Sequence, residues 1–467
     1  MARLVFLWLI IAARAAQAQI GLPDVRLPAL PQVPLSDNSR LLSATAQSDL
    51  RALRDVRRLR VRDLIRRNRE SLEADRNGAA IVRGEILVVS PSESELDTAR
   101  SLGFTILRIR VLDGLDARIV VLGVPQGMET LRALAQLRTL QPSLSFDVNH
   151  VYTDSGPSVD NGAGPARSSN QLLAEKEPSV GGAGTRPEGH ESTHVEGHES
   201  TPAEGHAATA RERLKIGLID SGVDVAHPVF RDIPIHQYGC SGAKVPDKHG
   251  TAVASLMTGR SVDFRGAAPG SELYAADVYC GLPTGGAADA VADAFAWLAR
   301  ERVPVINVSL VGPPNTTLEA VIHIVIARGQ IIVAAVGNDG PAAPPLYPAS
   351  YPGVVGVTAV DTHRHVLFEA GRGPQVRFAA PGADMSAAKS LQAFELVRGT
   401  SFAAPIVAGL LAAELRVPNA DAAARAIDDL AHRAIDLGAA GVDPVYGFGL
   451  VGSDLAPEPR LAKLHPP

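Results

Sequence analysis

Ile216-Gly217-Leu218-Ile219-Asp220-Ser221-Gly222-Val223-Asp224 is the stretch that decides how this chain folds. Leu214 to Ile219 is a short apolar run that holds one glycine and ends at an acid. Such a run predicts a strand buried on both faces, as in a parallel sheet. Asp220 then stands at the carboxyl end of the strand, where open α/β sheets collect ligands and catalytic groups. No G-x-G-x-x-G loop follows the strand, which excludes a dinucleotide-binding turn here.

Two further islands follow in order. His249-Gly250-Thr251-Ala252-Val253-Ala254 leads into the apolar stretch Val253 to Met257, and Gly399-Thr400-Ser401-Phe402-Ala403-Ala404-Pro405 into the Ala/Leu/Val run Phe402 to Leu415. Both stretches read as helices. A serine hydroxyl is a weak nucleophile near neutral pH. It needs an imidazole to take its proton and a carboxylate to hold that imidazole in the right tautomer. Asp220, His249 and Ser401 supply the three groups, and Asp, His, Ser is one of the chain orders in which this geometry occurs. At a helix N-terminus, Ser401 sits among unpaired backbone N–H groups that favour an anion. The developing oxyanion also needs a fixed donor. Ile331 to Val336 reads as a buried strand, and the turn after it carries the amide of Asn338. Taken alone, Asn338-Asp339-Gly340 is only a turn.

From about Arg211 to about Ser453 the chain resembles the subtilisin-like (subtilase) serine endopeptidases. The resemblance rests on the three islands and on Ile306-Asn307-Val308-Ser309-Leu310, Ala335-Val336-Gly337-Asn338, Tyr347-Pro348-Ala349-Ser350-Tyr351-Pro352 and Tyr446-Gly447-Phe448-Gly449-Leu450. It implies that Asp220 orients, His249 is general base and then acid, Ser401 attacks, and Asn338 and Ser401 bind the oxyanion. It also implies that Ser309, Leu310 and Val311 form the strand that pairs with substrate. Three departures stand out. Ala252 and Ser255 replace the family's frequent His and Gly, away from the proton relay. Val311 stands where the family's substrate strand usually has glycine. Leu346 lies where relatives place a glycine at the floor of the primary pocket. The last two predict a shallow pocket that prefers small apolar residues such as Ala over Phe or Tyr at P1, the residue whose carbonyl is attacked. Some relatives hold structural calcium, but no ligand cluster here identifies a metal site, and no cofactor is required.

Strand and helix patterns alternate through 211–455, which predicts a doubly wound, mostly parallel α/β sheet. A small α+β unit is expected at 79–154. Its strands read as Glu85 to Val89, Thr105 to Leu112, Ala117 to Val124 and Ser145 to Tyr152, and its helices as Glu93 to Leu102 and Met128 to Leu140. The order β-α-β-β-α-β is the ferredoxin-like arrangement. In front of a subtilase domain this unit resembles the family's propeptide, whose last strand would feed the following residues through the cleft. A small accessory domain is the alternative, because a fold does not fix function. Within 19–78, a Pro- and Leu-rich extended part precedes an arginine-rich helix from about Ser48 to Asp75. Acids interleave its arginines, so it reads as a solvated face or docking surface and not as a nucleic-acid site.

Met1 to Ala18 has the layout of a secretory signal peptide: Arg3, an apolar core from Leu4 to Ala13 too short to span a bilayer, and a small-x-small site at Ala16-Gln17-Ala18. Export from a bacterium, to the periplasm or beyond, is the expectation, with no stable membrane insertion once the peptide is removed. Cys240 and Cys280 would then meet oxidising conditions, and a disulfide is the leading reading; two free buried thiols are the alternative. Residues 155–210 are rich in Gly, Ser, Pro, Glu and His and contain the repeat Glu188-Gly189-His190-Glu191-Ser192-Thr193 and Glu196-Gly197-His198-Glu199-Ser200-Thr201, the pattern of a disordered linker. Residues 456–467 form a short tail. The net charge of −5 gives no bulk attraction to nucleic acid or to anionic membranes. Protein or peptide substrates and the chain's own propeptide are the expected partners of a monomer. A catalytically silent binding protein would have the same fold, though the presence of all four groups argues against it. A dedicated processing protease or a peptide ligase would use the same triad.

Overall fold

The computed structural model describes residues 44–154, 213–389 and 393–455. The predicted signal peptide, linker and C-terminal tail, and residues 19–43, lie outside the described residues. Ser48–Pro467 forms one compact unit, so both predicted sheets belong to the same body. Among the described residues no helix is long and apolar enough to cross a membrane.

The arginine-rich helix α1 spans Ala44–Arg67. It starts earlier than its apolar spacing predicts and stops well short of Asp75. The Asn68 amide donates to Leu64 O at 2.8 Å and closes the helix. Asp75 Oδ1 then accepts from the N–H groups of Asn77 and Ala79 at 2.8 and 2.7 Å, a side-chain-stabilised turn. Leu72 therefore leaves the helix pattern and enters β1 (Leu72–Ala74), antiparallel to β2 (Ala80–Val89).

After β2 come α2 (Glu93–Ser101), β3 (Thr105–Leu112), β4 (Ala117–Gly123), α3 (Thr130–Leu140) and β5 (Phe146–His150). A Ser92/Glu95 capping box starts α2. The strands pair antiparallel in the order β5-β2-β4-β3, the predicted βαββαβ topology. Alternation along them splits the side chains between two faces. Ile86, Val88, Val120 and Leu122 pack under α2 and α3 with Leu96, Leu134 and Leu137. Leu87, Ile119 and Val121 turn the other way and join a core that includes Val291 and Phe295. A two-residue strand, β6 (Thr153–Asp154), is the last element before the undescribed linker.

The main sheet starts with β7 (Lys215–Asp220), β8 (Ile235–Gly239), α4 (Lys248–Thr258), β9 (Glu272–Asp277) and α5 (Ala288–Arg300). It continues with β10 (Val305–Val308), β11 (Leu310–Val311), α6 (Thr316–Ala327), β12 (Ile331–Ala335), β13 (Val355–Val360) and β14 (Val376–Pro381). Seven strands run parallel in the order β14-β13-β12-β10-β7-β9-β8. The chain builds one side of β7 and then crosses by α5 to the other. The strand order thus reverses at β7, and Asp220 ends that strand. A hairpin, β15 (Ala383–Lys389) and β16 (Ala393–Arg398), precedes α7 (Thr400–Glu414) and α8 (Ala420–Arg433). Phe402 to Ala408 of α7 are buried, as their apolar run requires. Cys240 and Cys280 are joined by a disulfide that ties the end of β8 to the segment after β9.

Candidate active site

Asp220 is 1% exposed. Its Oδ1 accepts from His249 Nδ1–H at 2.8 Å and from the Ser221 N–H at 2.7 Å. Asp247 caps α4 by accepting from the His249 N–H at 2.8 Å, which places His249 at the start of the helix facing the end of β7. Burial opposes a charge on the imidazole, but Asp220, Asp154 and Asp247 outweigh it and push the His249 pKa up to about 9. The His249 ring lies 5.5 Å from that of Phe402, beside the first turn of α7.

Ser401 lies in that turn. Its backbone carbonyl accepts from Ser309 Oγ at 3.0 Å, and its own Oγ reaches Ser309 O at 3.4 Å. Asn338 follows β12. Its Oδ1 accepts the Thr400 N–H at 3.0 Å, which fixes the side chain and keeps the NH2 group as a donor. Gly399 takes φ +136°, and a Cβ there would stand 2.9 Å from Asn338 Nδ2. Glycine thus allows both the backbone turn and the approach of the amide. The four residues singled out as catalytic in the sequence therefore converge at the carboxyl edge of the main sheet.

Leu310 and Val311, expected from the resemblance to line the substrate strand, form β11, which is already paired. β6 lies antiparallel to it, with Thr153 opposite Val311 and Asp154 opposite Leu310. On the other side, the Tyr152 N–H donates to Gly286 O at 2.8 Å, and Val151 bridges Ala287. The Tyr152 ring is fully buried against Gly312, and its hydroxyl donates to Pro313 O at 2.9 Å. The segment that follows the small sheet is thus held between two edges of the cleft.

A Cβ added to Gly337 would meet Leu346 Cδ1 at 2.5 Å and Val311 Cγ1 at 3.7 Å, so these two side chains fill the space above Gly337. Beside this wall is Asp339, read from the sequence only as a turn residue. Arg57 of α1 bonds its carboxylate at 3.1 Å. Burial pushes the Asp339 carboxyl up, against the pull of Arg57 and Arg60. Tyr279 was also missed; its buried hydroxyl has no hydrogen-bond partner among the described residues. Neither Arg57 nor Tyr279 belongs to a motif. The one signal for Asp339 was its place next to Asn338.

Among the described residues, the single group of His, Cys, Asp or Glu side chains close enough to share an ion is Cys240, Asp277 and Cys280. Its two sulfurs are consumed by the disulfide, so the set does not suit a metal.

The family model described as the Subtilase family (peptidase S8) matches residues 211–449. Subtilisin BL of Lederbergia lenta is 30% identical over 248 residues, 52% of this chain and 90% of that protein. Minor extracellular protease Epr of Bacillus subtilis (strain 168) is 29% identical over 252 residues, 51% of this chain and only 38% of that protein. Fervidolysin of Fervidobacterium pennivorans, described as a keratinolytic enzyme related to subtilisin, superposes with a TM-score of 0.59 at 19% identity, covering 83% of this chain and 63% of the other, and so bears on the fold alone. The family model spans the main sheet and Asp220, His249, Asn338 and Ser401, and the chain belongs to the subtilase family of serine-type endopeptidases.

Proposed function

We propose that the chain is an exported endopeptidase made as a self-processing zymogen. Its N-terminal sheet is the propeptide, and its own β6 is the first strand to occupy the cleft. The observation that carries this reading is the register Thr153–Val311 and Asp154–Leu310. Ser309 is the next residue on the β11 side, and its carbonyl lies 3.4 Å from Ser401 Oγ, so this register offers the nucleophile the bond one residue past Asp154. The bond presented to the nucleophile is then Ser155–Gly156.

In this reading His249 takes the Ser401 proton as Oγ attacks the carbonyl carbon, while Asp220 holds the imidazole. The oxyanion is met by the Asn338 NH2 group and the Ser401 backbone N–H. As the C–N bond breaks, His249 returns the proton to the leaving amine. Water then hydrolyses the acyl-enzyme by the same route. The shallow wall formed by Leu346 and Val311 favours small P1 residues, and a serine at 155 agrees with it. Export is supported by the Met1 to Ala18 pattern and the disulfide. The mature enzyme acts as a monomer on protein or peptide substrates.

The test compares secreted wild type with Ser401→Ala. Wild type should shorten to a product beginning at Gly156 and then cleave casein. Ser401→Ala should stay long, with activity lower by a factor on the order of 10⁶, the size of loss a subtilisin suffers with its own serine. Shortening of Ser401→Ala at the same bond in pure form would remove the self-processing reading.

A further inference from the structure

The turn that carries Asn338 has two glycines with left-handed backbone, Gly337 at φ +96° and Gly340 at φ +89°, and Gly399, two residues before Ser401, takes φ +136°. Backbone of this kind bends easily. Yet Asn338 and Ser401 must keep one separation if the amide is to meet the oxyanion. A second set of contacts closes around them. The segment after Phe368 grips the turn at both ends: the Gly371 N–H donates to Gly337 O at 2.9 Å, and Glu369 O accepts the Gly340 N–H at 2.8 Å. The Glu369 side chain reaches the other partner. Its two carboxylate oxygens accept from Arg398 Nε at 2.7 Å and from a terminal Arg398 nitrogen at 3.1 Å, a two-pronged pair. Arg398 directly precedes Gly399, Thr400 and Ser401. The Thr400 N–H returns to Asn338 Oδ1, and Thr400 Oγ1 accepts from the Gly337 N–H at 3.2 Å. A closed ring thus runs from the amide of Asn338 through Glu369 and Arg398 to the first turn of α7 and back.

We propose that Glu369 and Arg398 are positioning residues that hold the Asn338 amide at its working distance from Ser401. The proposal rests on the endopeptidase reading above and deepens it. Glu369 is 7% exposed, and among the described residues Arg398 is the one cation within ion-pair distance of it. A carboxylate so buried is costly to leave unpaired, which ties the state of the turn to the presence of Arg398. The two charges offset each other, so the pair supplies fixed geometry more than field. A planar guanidinium engages both oxygens at once and resists rotation, which a lysine cannot do. Glu369 bonds with its backbone to the Asn338 turn and with its side chain to the end of β16, the strand that leads into α7. One residue therefore couples the two elements that bring the donor and the nucleophile. Without the pair, the direct bond from Thr400 to Asn338 remains, but the glycines on either side of it are free to shift. A hydrogen bond to a developing oxyanion is made in the transition state, so a looser donor slows the chemical step and leaves substrate binding as it was.

The test uses matured enzyme and one peptide with Ala at P1, with rates referred to titrated active sites so that unfolded copies drop out. Arg398→Ala should lower kcat about tenfold with KM unchanged, a part of the roughly 10²–10³ that a subtilisin loses with the donor itself. In an Asn338→Ala background the same substitution should cost no further rate, because no donor is left to position. Arg398→Lys should recover only part of the loss. Should Arg398→Ala not mature, Glu369→Gln, which keeps the volume of the side chain, takes its place in the same cycle. An equal kcat loss in both backgrounds, or a loss confined to KM, overturns the proposal. An unchanged kcat in the variant overturns it as well. Failure of wild type to cut the peptide would overturn the endopeptidase reading itself, and this role with it.

Discussion

Asp220 Oδ1 accepts from both His249 Nδ1–H and the Ser221 N–H, so the carboxylate is aimed before any substrate arrives. The same closeness has an electrostatic consequence. With Asp154 of the bound tail adding to Asp220 and Asp247, His249 keeps its proton up to about pH 9. A protonated imidazole cannot accept the Ser401 proton. In the proposed proton relay the raised value would hold the base back at neutral pH and free it as pH rises. Self-cleavage should speed up about fiftyfold from pH 7 to pH 9, most steeply over the first unit, because the fraction of neutral imidazole grows in that proportion. Measuring the half-time of tail cleavage across this range checks it; a flat or falling profile would contradict the assignment. Asp154→Asn should move the rise to lower pH.

At the scale of elements, β6 and the residue before it make the link between the two sheets specific. Tyr152 is fully buried, with its ring on Gly312, its hydroxyl on Pro313 O and its N–H on Gly286 O. Truncating a large buried aromatic costs about 3–5 kcal/mol. Tyr152→Ala should therefore weaken retention of the cleaved N-terminal region at least about 100-fold. The effect is read as casein activity that appears before any chromatographic separation; activity still silent until separation would count against it. Most of these elements are legible in the sequence because local pattern determines them. Ile216 to Ile219 is apolar without a break, and Thr105 to Leu112 alternates. The exit from α1 was misread because Leu72 satisfies helical spacing and strand pairing equally well, and only the Asp75 turn decides between them. The β15–β16 hairpin carried no turn signal strong enough to announce it.

At the scale of the whole molecule, the two sheets meet through ions as well as apolar side chains. Asp289 of α5, 1% exposed, receives Arg108 Nε at 2.9 Å, Arg110 Nε at 2.6 Å and the Asn149 amide at 2.8 Å. Burial alone would raise its pKa, but the two arginines outweigh burial and hold it below the ordinary 3.8. A depressed carboxylate pKa contributes docking stability above the free value, and that contribution is lost as pH falls through the docked one. After cleavage the N-terminal region should be held most tightly at pH 7 and progressively more weakly as the pH falls below 3.8 and through the lower docked value. The dissociation constant measured from pH 7 downward tests this, and an affinity that does not weaken on acidification would refute it. None of this network was legible in the sequence. Arg108 and Asp289 are 181 residues apart. Charged side chains carry no periodic signal that names a distant partner, whereas the apolar runs that build the sheet do.

The register of β6 on β11 has a consequence for quality control. The strand that presents the scissile bond hangs from the small sheet, while the nucleophile and its acceptor hang from the large one. The cut therefore requires both to have formed and to have met in one alignment, since a slip by a single residue would offer the wrong bond. In the self-processing reading proposed above, release would work as a proofreading step: a copy whose sheets have not come together would stay covalently attached to its N-terminal region, and only a correctly assembled molecule would set itself free.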